Sequence, residues 1–396
     1  MPVRTVVGRA EAARWQGALD LLRLVSRQPG ITRAAAAQDL GLSSGSAAEI
    51  TARLRDLSLL DERPAPPTGR GRPTTTLRAG HQGPLVAVVD IRHEDWEVAA
   101  ADLEGDLVPL SRGRRPGDNP AALIAALRTA LDEVRRAYGP RLCAISIAVA
   151  GAVQDNRLVQ ASTLGWHEVD LGDLQNGHGG PLPLLIGNDA SLAGVAEARR
   201  GTASTARTVL YLTIEVGLGG VLVDHGRPVT GATGAGGEFG HLPFGDPGLA
   251  CPCGARGCWD LEVDGRAMAR HRGDPPPTDP WSYAAATLAE AAGDPAAAEA
   301  VERCALAFGR GLAGLVNALD PDMVSLGGFA GPLREAAGEA LTSAYISGLM
   351  SFRRSAPPPL CPAVLGADGP LIGATEIAFD AFLTERGLTE WSERQT

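Results

Sequence analysis

One imidazole and three thiols fall within eighteen residues of this chain, at His241, Cys251, Cys253 and Cys258, spaced H-x9-C-x-C-x4-C. Four soft ligands at that spacing suit a closed tetrahedral zinc site. Gly254 and Gly257 leave the backbone free to wrap around an ion. With every coordination position filled by protein, no slot remains for water, so the expected zinc is structural and not catalytic. The competing reading is a loop of free or disulfide-bonded cysteines. It fits poorly with a chain in which no secretory signal is expected. The remaining cysteines, Cys143, Cys304 and Cys361, read as core packing.

The elements that hold this loop have to be found in 396 residues, enough for two or three domains. All basic residues are arginine, and they are unevenly placed. Residues 1–80 carry 12 Arg against 7 acids, a net charge of +5, whereas the rest of the chain is at −15. A basic module on an acidic body points to a polyanion met by the first module alone. No run of about 18 apolar residues is present, so no membrane span is expected and a cytoplasmic location is.

Within residues 1–80, Trp15, Leu19, Leu22 and Val25 or Ser26 share helical spacing, and Pro29-Gly30 ends that helix. Thr32 can cap a second helix running to about Leu40. After Gly41-Leu42, Ser43 or Ser44 can cap a third, with Ala47, Ile50, Leu54 and Leu57 inward. Helix, short glycine turn, helix is the helix-turn-helix pattern. Its outer face offers Ser44, Ser46 and Glu49 to base edges, and Arg53 and Arg55 to phosphates. A short hairpin follows, with Arg70 and Arg72 on a Gly-Arg-Gly-Arg-Pro tip that can enter a minor groove or grip phosphates.

From Pro84 the pattern becomes α/β. Leu85–Ile91 reads as a buried strand, Trp96–Leu103 as its hairpin partner, Pro120–Tyr138 as a helix and Leu142–Gly151 as another strand. Leu184–Ala190 runs from strand into helix. A second, similar cycle starts at Thr208, with a later strand at Met323. Residues 271–300 read as a loop and then a helix, and Gly373–Leu383 as a last helix.

Gly-Glu-Phe-Gly-His at 237–241 followed by Cys-Pro-Cys-Gly-Ala-Arg-Gly-Cys at 251–258 resembles the signature of the ROK family of repressors and sugar kinases. The resemblance extends over nearly the whole chain. It implies a two-lobed, ribonuclease-H-like (actin-like) sugar-kinase fold behind a winged helix-turn-helix. The expected division is a DNA-binding domain at 1–80, a first α/β lobe at 81–200 and a second lobe with the zinc loop at 201–396. The last helix would return to the first lobe.

The same resemblance implies a sugar pocket. Asp189, in Asn188-Asp189-Ala190, stands at the position where the family's kinases deprotonate the sugar hydroxyl. Glu238 and His241 match sugar-contacting residues, as does Asp260, which stands where relatives usually have Glu. Gly151-Ala-Val and Leu164-Gly-Trp166 match further pocket segments, with Thr163 where many relatives have Asn. The phosphate loops depart more sharply. Asp-x-Gly-Gly-Thr of the kinases is here Asp90-Ile91-Arg92-His93-Glu94, and Gly-Thr-Gly-x-Gly-Gly is Glu215-Val216-Gly217-Leu218-Gly219-Gly220. Bulky and acidic side chains there oppose a triphosphate. The expectation is a non-enzymatic, sugar-responsive repressor. It would bind a palindromic operator as a homodimer or homotetramer, with structural zinc and a sugar or sugar-derivative effector at Asn188, Asp189, Glu238, His241 and Asp260. The alternatives are an active ATP-dependent sugar kinase carrying a DNA-binding appendix, and a repressor controlled by a protein partner.

Overall fold

The computed structural model describes residues 9–65, 75–117, 119–154 and 156–395. The chain opens with three helices, α1 (Arg9–Arg27), α2 (Arg33–Asp39) and α3 (Ser44–Asp56), and an antiparallel pair, β1 (Leu60–Pro64) and β2 (Thr75–Ala79). The caps are the ones the sequence offers. Thr32 Oγ1 accepts from the Ala35 amide, and Ser43 Oγ from that of Ser46. The hairpin tip with Arg70 and Arg72 lies outside the described residues.

The first lobe is built on β3 (Leu85–Ile91), β4 (Asp95–Ala101), β5 (Leu107–Arg114), α4 (Pro120–Tyr138) and β6 (Leu142–Val149). A small sheet of β7 (Ala152–Gln154), β8 (Arg157–Ala161) and β9 (Trp166–Val169) leads to β10 (Leu184–Asn188) and α5 (Asp189–Arg200). The sheet order is β10-β6-β3-β4-β5, with β3, β4 and β5 antiparallel and β6 and β10 parallel to β3. Every residue of β3 and β6 is buried, as central strands covered on both faces require.

The second lobe repeats the plan with β11 (Thr208–Glu215), β12 (Gly217–Asp224), β13 (Arg227–Pro228), α6 (Gly265–Arg272), α7 (Pro280–Glu290), α8 (Pro295–Leu319) and β14 (Met323–Gly328). It continues through α9 (Ala330–Ala336), α10 (Gly338–Gly348), β15 (Leu360–Pro362), α11 (Gly369–Phe382) and α12 (Glu385–Gln395). Its sheet order is β13-β12-β11-β14-β15. The stretch read as a loop and one helix holds α7 and the start of α8, each opened by an Asp cap and a Pro in the first turn.

Helix α5 packs against the second lobe's β11 and β12 on one side and α11 on the other. Two glycines permit this. A Cβ at Gly194 would run into Val221, and one at Gly373 would run into the Leu192 carbonyl. The chain's end forms two helices where the sequence suggested one. The second, α12, buries Leu388 and Trp391, and Trp391 Nε1 donates to the Leu57 carbonyl at 2.8 Å. One hydrophobic core therefore runs from Trp15, Leu22, Leu54 and Leu77 of the first 80 residues, through Val86 and Val88 of β3, to Phe379 and Trp391. The N-terminal module is welded to the first lobe, not tethered to it.

Candidate functional site

A cleft cavity of about 240 Å³ lies between the lobes. Its walls include Asn188, Asp189, Glu238, His241 and Asp260, so all five pocket residues named from the sequence come together. Asn188 ends β10 and caps α5: its Oδ1 accepts from the Ser191 amide at 2.9 Å and its Nδ2 donates to the Gly151 carbonyl at 3.1 Å. It shapes the wall with both polar atoms already engaged. Asp189 is the first residue of α5, where the helix N-terminus favours its charge. Leu164 and Trp166 are buried in the first-lobe core, so that segment reaches the cavity through Ser162 and Thr163.

Asp260 and His241 are presented by two short 3-10 turns, Trp259–Glu262 and Phe239–His241. Trp259 anchors the first turn. It is fully buried, stacks on Phe308 at 5.6 Å, and donates Nε1 to the Ala307 carbonyl of α8 at 3.1 Å. Asp260 is then held by a residue that the sequence reading did not pick out. Arg266 Nη2 lies 3.4 Å from Asp260 Oδ2, while its Nε donates to the fully buried Asp264 at 2.6 Å. The signal was the buried carboxylate in Asp264-Gly265-Arg266, which demands a nearby cation.

The ligand atoms of His241, Cys251, Cys253 and Cys258 all lie within 4.8 Å of one another. Cys251 Sγ is 3.7 Å from His241 Nδ1, and Cys253 Sγ is 3.6 Å from Cys258 Sγ. A tetrahedron with Zn–S near ~2.3 Å has edges of about 3.8 Å, so the spacing and the soft donor set both fit zinc. None of the six cysteines forms a disulfide, and three of them gather with His241 at metal-ligand spacing. His241 turns Nδ1 to the thiols, and its Nε2 lies 3.8 Å from Glu238 Oε2. Zinc on Nδ1 would orient the ring and so fix the Nε2 edge that meets Glu238.

Beyond the cavity lining, Asp90, next to last in β3, is fully buried. Arg92 Nε bonds its Oδ2 at 2.5 Å, and Arg92 Nη2 donates to the Ala367 carbonyl at 2.9 Å, just ahead of α11. Burial pushes the Asp90 carboxyl up to about 7, although the Arg92 charge opposes the shift. Asp189 is pushed up to about 7 by desolvation and then by the charge of Glu215. Glu215 ends β11 and faces the cavity. Its carboxyl is raised by the enclosing walls and by Asp90, with Arg92 acting against both.

At its far end α5 carries Arg199 and Arg200. Both bind Glu376 of α11, Arg199 Nη1 at 2.9 Å and Arg200 Nε at 2.5 Å. Arg200 also donates to the Glu104 and Leu103 carbonyls and to Ser26 Oγ of α1. On the module, Ser44, Ser46, Glu49 and Arg55 are exposed on α3. Arg55 lies 3.4 Å from Glu62. The Arg53 guanidinium sits 4.4 Å from the Trp15 ring centroid, against the module's own core, which leaves Arg55 as the outward arginine of the pair.

Residues 86–381 match the ROK family. The chain is 27% identical over 313 residues to the glucokinase of Streptomyces coelicolor, covering 74% of this chain and 97% of that one. It is 23% identical over 372 residues to the xylose repressor of Bacillus subtilis, covering 92% of this chain and 94% of the repressor. That coverage leaves too few unmatched residues to omit the N-terminal module. A solved ROK family transcriptional regulator, a homolog of the E. coli MLC protein, shares the fold over 96% of this chain and 99% of its own, at TM-score 0.75 and 21% identity. With the family matched across both lobes and relatives among its repressors as well as its kinases, the chain belongs to the ROK family.

Proposed function

We propose that this protein is a DNA-binding transcriptional repressor whose operator affinity is set by a sugar or sugar derivative held in the cleft, with phosphoryl transfer lost. The observation that carries this reading is helix α5. Its first residues line the cleft and its last residue bonds α1 of the N-terminal module. A ligand that shifts Asp189 would act on one end of a packed rod whose other end holds the module. A ligand preferring one lobe arrangement would then bias the placement of two modules in a homodimer or homotetramer, and with it the fit to a palindromic operator.

The 1–80 segment would be a winged helix-turn-helix. Ser44, Ser46 and Glu49 would face bases, and Arg55, Arg70 and Arg72 would face phosphates or a minor groove. The 81–200 and 201–396 segments would be the effector-binding lobes, zinc would brace the His241 loop, and the protein would act in the cytoplasm.

Arg92 and Glu215 support the non-enzymatic reading. An Arg92–Asp90 ion pair and an added carboxylate stand where glycine loops would have to admit a triphosphate. The kinase reading keeps one specific support, Asp189 in the cleft with a carboxyl near 7, which suits a general base. A thermal-shift screen against sugars, sugar phosphates and ATP–Mg separates the two. Stabilisation by a sugar, with a matching change in operator binding and no response to ATP–Mg, supports the repressor. Stabilisation by ATP–Mg, with phosphorylation abolished in Asp189→Asn, establishes the kinase instead.

A further inference from the structure

One hydrogen bond crosses the cleft at the cavity wall itself. Gln160, on β8 of the first lobe, donates Nε2 to the Cys253 carbonyl of the zinc loop at 3.4 Å, and both residues line the cavity. Other bonds between the lobes come from Arg92 and from Glu197, Arg199 and Arg200 near the far end of α5, none of which lines the cavity. A carbonyl can only accept, so the amide nitrogen of Gln160 has to be the atom turned to Cys253. The same nitrogen reaches Ser162 Oγ at 3.2 Å.

Both ends of this bond are held. Gln160 sits on the middle strand of the β7-β8-β9 sheet, opposite Ala152 on one side and His167 on the other. A Cβ at Gly151 would run into the Gln160 carbonyl, so the glycine lets the chain pass close over this residue. Within the zinc loop the Cys251 amide donates to the Ala255 carbonyl at 2.9 Å, the Gly257 amide to the Leu249 carbonyl at 3.0 Å, and Arg256 Nε to the Pro247 carbonyl at 3.0 Å. A loop tied this way moves as a piece. A pull at Cys253 is then felt at Cys251, whose Sγ lies 3.7 Å from His241 Nδ1.

We propose that Gln160 is a catch: it fastens the zinc loop to the first lobe and so closes this wall of the cavity. It is a positioning residue, acting on His241 from the opposite lobe through the Cys253 carbonyl and the loop. Separating the lobes at this wall breaks the bond, and the loop is then left with its own hydrogen bonds and its metal donors. A metal that fixes the loop would in turn present the carbonyl that Gln160 grips. The catch needs no ligand, so it stands apart from the effector reading and can fail without it.

The test compares the full-length protein with Gln160→Glu, which keeps the length of the side chain but has no N–H to donate, and with Gln160→Ala. Deuterium exchange in the 247–258 segment should quicken about fivefold in both variants, the factor carried by one net hydrogen bond. Exchange in β3, β6 and β8 should stay as in wild type. Transfer of zinc to a chromophoric chelator should quicken by a similar factor. Unchanged exchange over 247–258 in both variants would overturn the catch. Exchange that rises in β8 as much as in the loop would overturn it too, because Gln160 would then support its own sheet and not the loop. Quickened exchange with unchanged zinc loss would overturn the reach to His241. The exchange arm decides the point even if the purified protein carries no zinc, an outcome that would sink only the metal's part in it.

Discussion

Arg200 Nη2 lies 3.2 Å from Ser26 Oγ, and that contact joins the end of the helix that begins in the cleft to the first helix of the N-terminal module. Ser26 is 9% exposed, so the bond is made away from bulk water. The rest of the Arg200 fork is held by Glu376 and by the Leu103 and Glu104 carbonyls. Ser26→Ala therefore removes the link and leaves the arginine seated. The expected stability cost is about 1 kcal/mol, the size of one net hydrogen bond. Effector affinity should stay within about twofold, while the ratio of operator affinities with and without effector should fall about threefold or more. Operator titrations on both proteins read this directly. An unchanged ratio would mean that coupling runs through the shared core alone.

The Arg92–Asp90 pair makes a second expectation. Asp90 is sealed near the end of β3, and among the described residues Arg92 supplies its one ion-pair contact. Arg92→Ala would strand a buried carboxyl and should cost about 3 kcal/mol or more at pH 8. Adding Asp90→Asn should recover most of that loss, because the stranded charge is gone. Urea denaturation of the four proteins in the cycle gives the coupling energy. An additive cycle would show that the pair does not act as a unit and would remove its claim to have replaced the phosphate site.

Zinc at the His241 cluster should act on the effector and only weakly on the bare operator. Cys253→Ser deletes one thiol of four, so bound zinc should drop well below one per chain and the Phe239–His241 turn should loosen. Effector affinity should then weaken about tenfold or more, the size of effect that lost support around a bound metal commonly has. Operator affinity without effector should stay within about twofold, since the core beneath the module does not include the zinc loop. Metal analysis paired with both titrations checks it. Full zinc occupancy and an unchanged effector response would sink the bracing role.

What the sequence made legible was local chemistry with fixed spacing. The caps at Thr32 and Ser43 and the strand-to-helix switch at Asn188 rest on contacts within a few residues and appear as read, and the four donors from His241 to Cys258 gather at a spacing that could hold a metal. The residues that escaped notice work across long separations. Arg200 reaches Ser26 over 174 positions, and Trp391 reaches Leu57 over 334. No periodicity in either segment names its partner. Helix α12 has a weak apolar stripe of Leu388 and Trp391, legible as a helix face only once the module is there to cover it. Arg53 shows the same limit. Its spacing puts it near the outward face of α3, yet the Trp15 ring draws its guanidinium back.

The pH dependence of stability should carry the signature of Asp189. Desolvation in the cleft, followed by the charge of Glu215, raises its carboxyl to about 7. In the unfolded chain an aspartate titrates near ~3.9. Between those values the folded protein holds a proton that the unfolded chain has released, so stability falls as pH rises through this window. Below about pH 4 both states are protonated and Asp189 costs nothing. Above about 7 the folded state must carry the unfavourable charge and the full cost is present. Asp189→Asn keeps the shape and cannot ionise, so it should stabilise the protein at pH 8 and leave it nearly unchanged at pH 4. The side chain is only partly buried, and solvent screening trims the expected difference to about 1–2 kcal/mol. Urea midpoints of wild type and variant, taken from pH 4 to 8 in one buffer series, measure it. A variant no more stable than wild type at pH 8 would show that Asp189 already has a compensating cation.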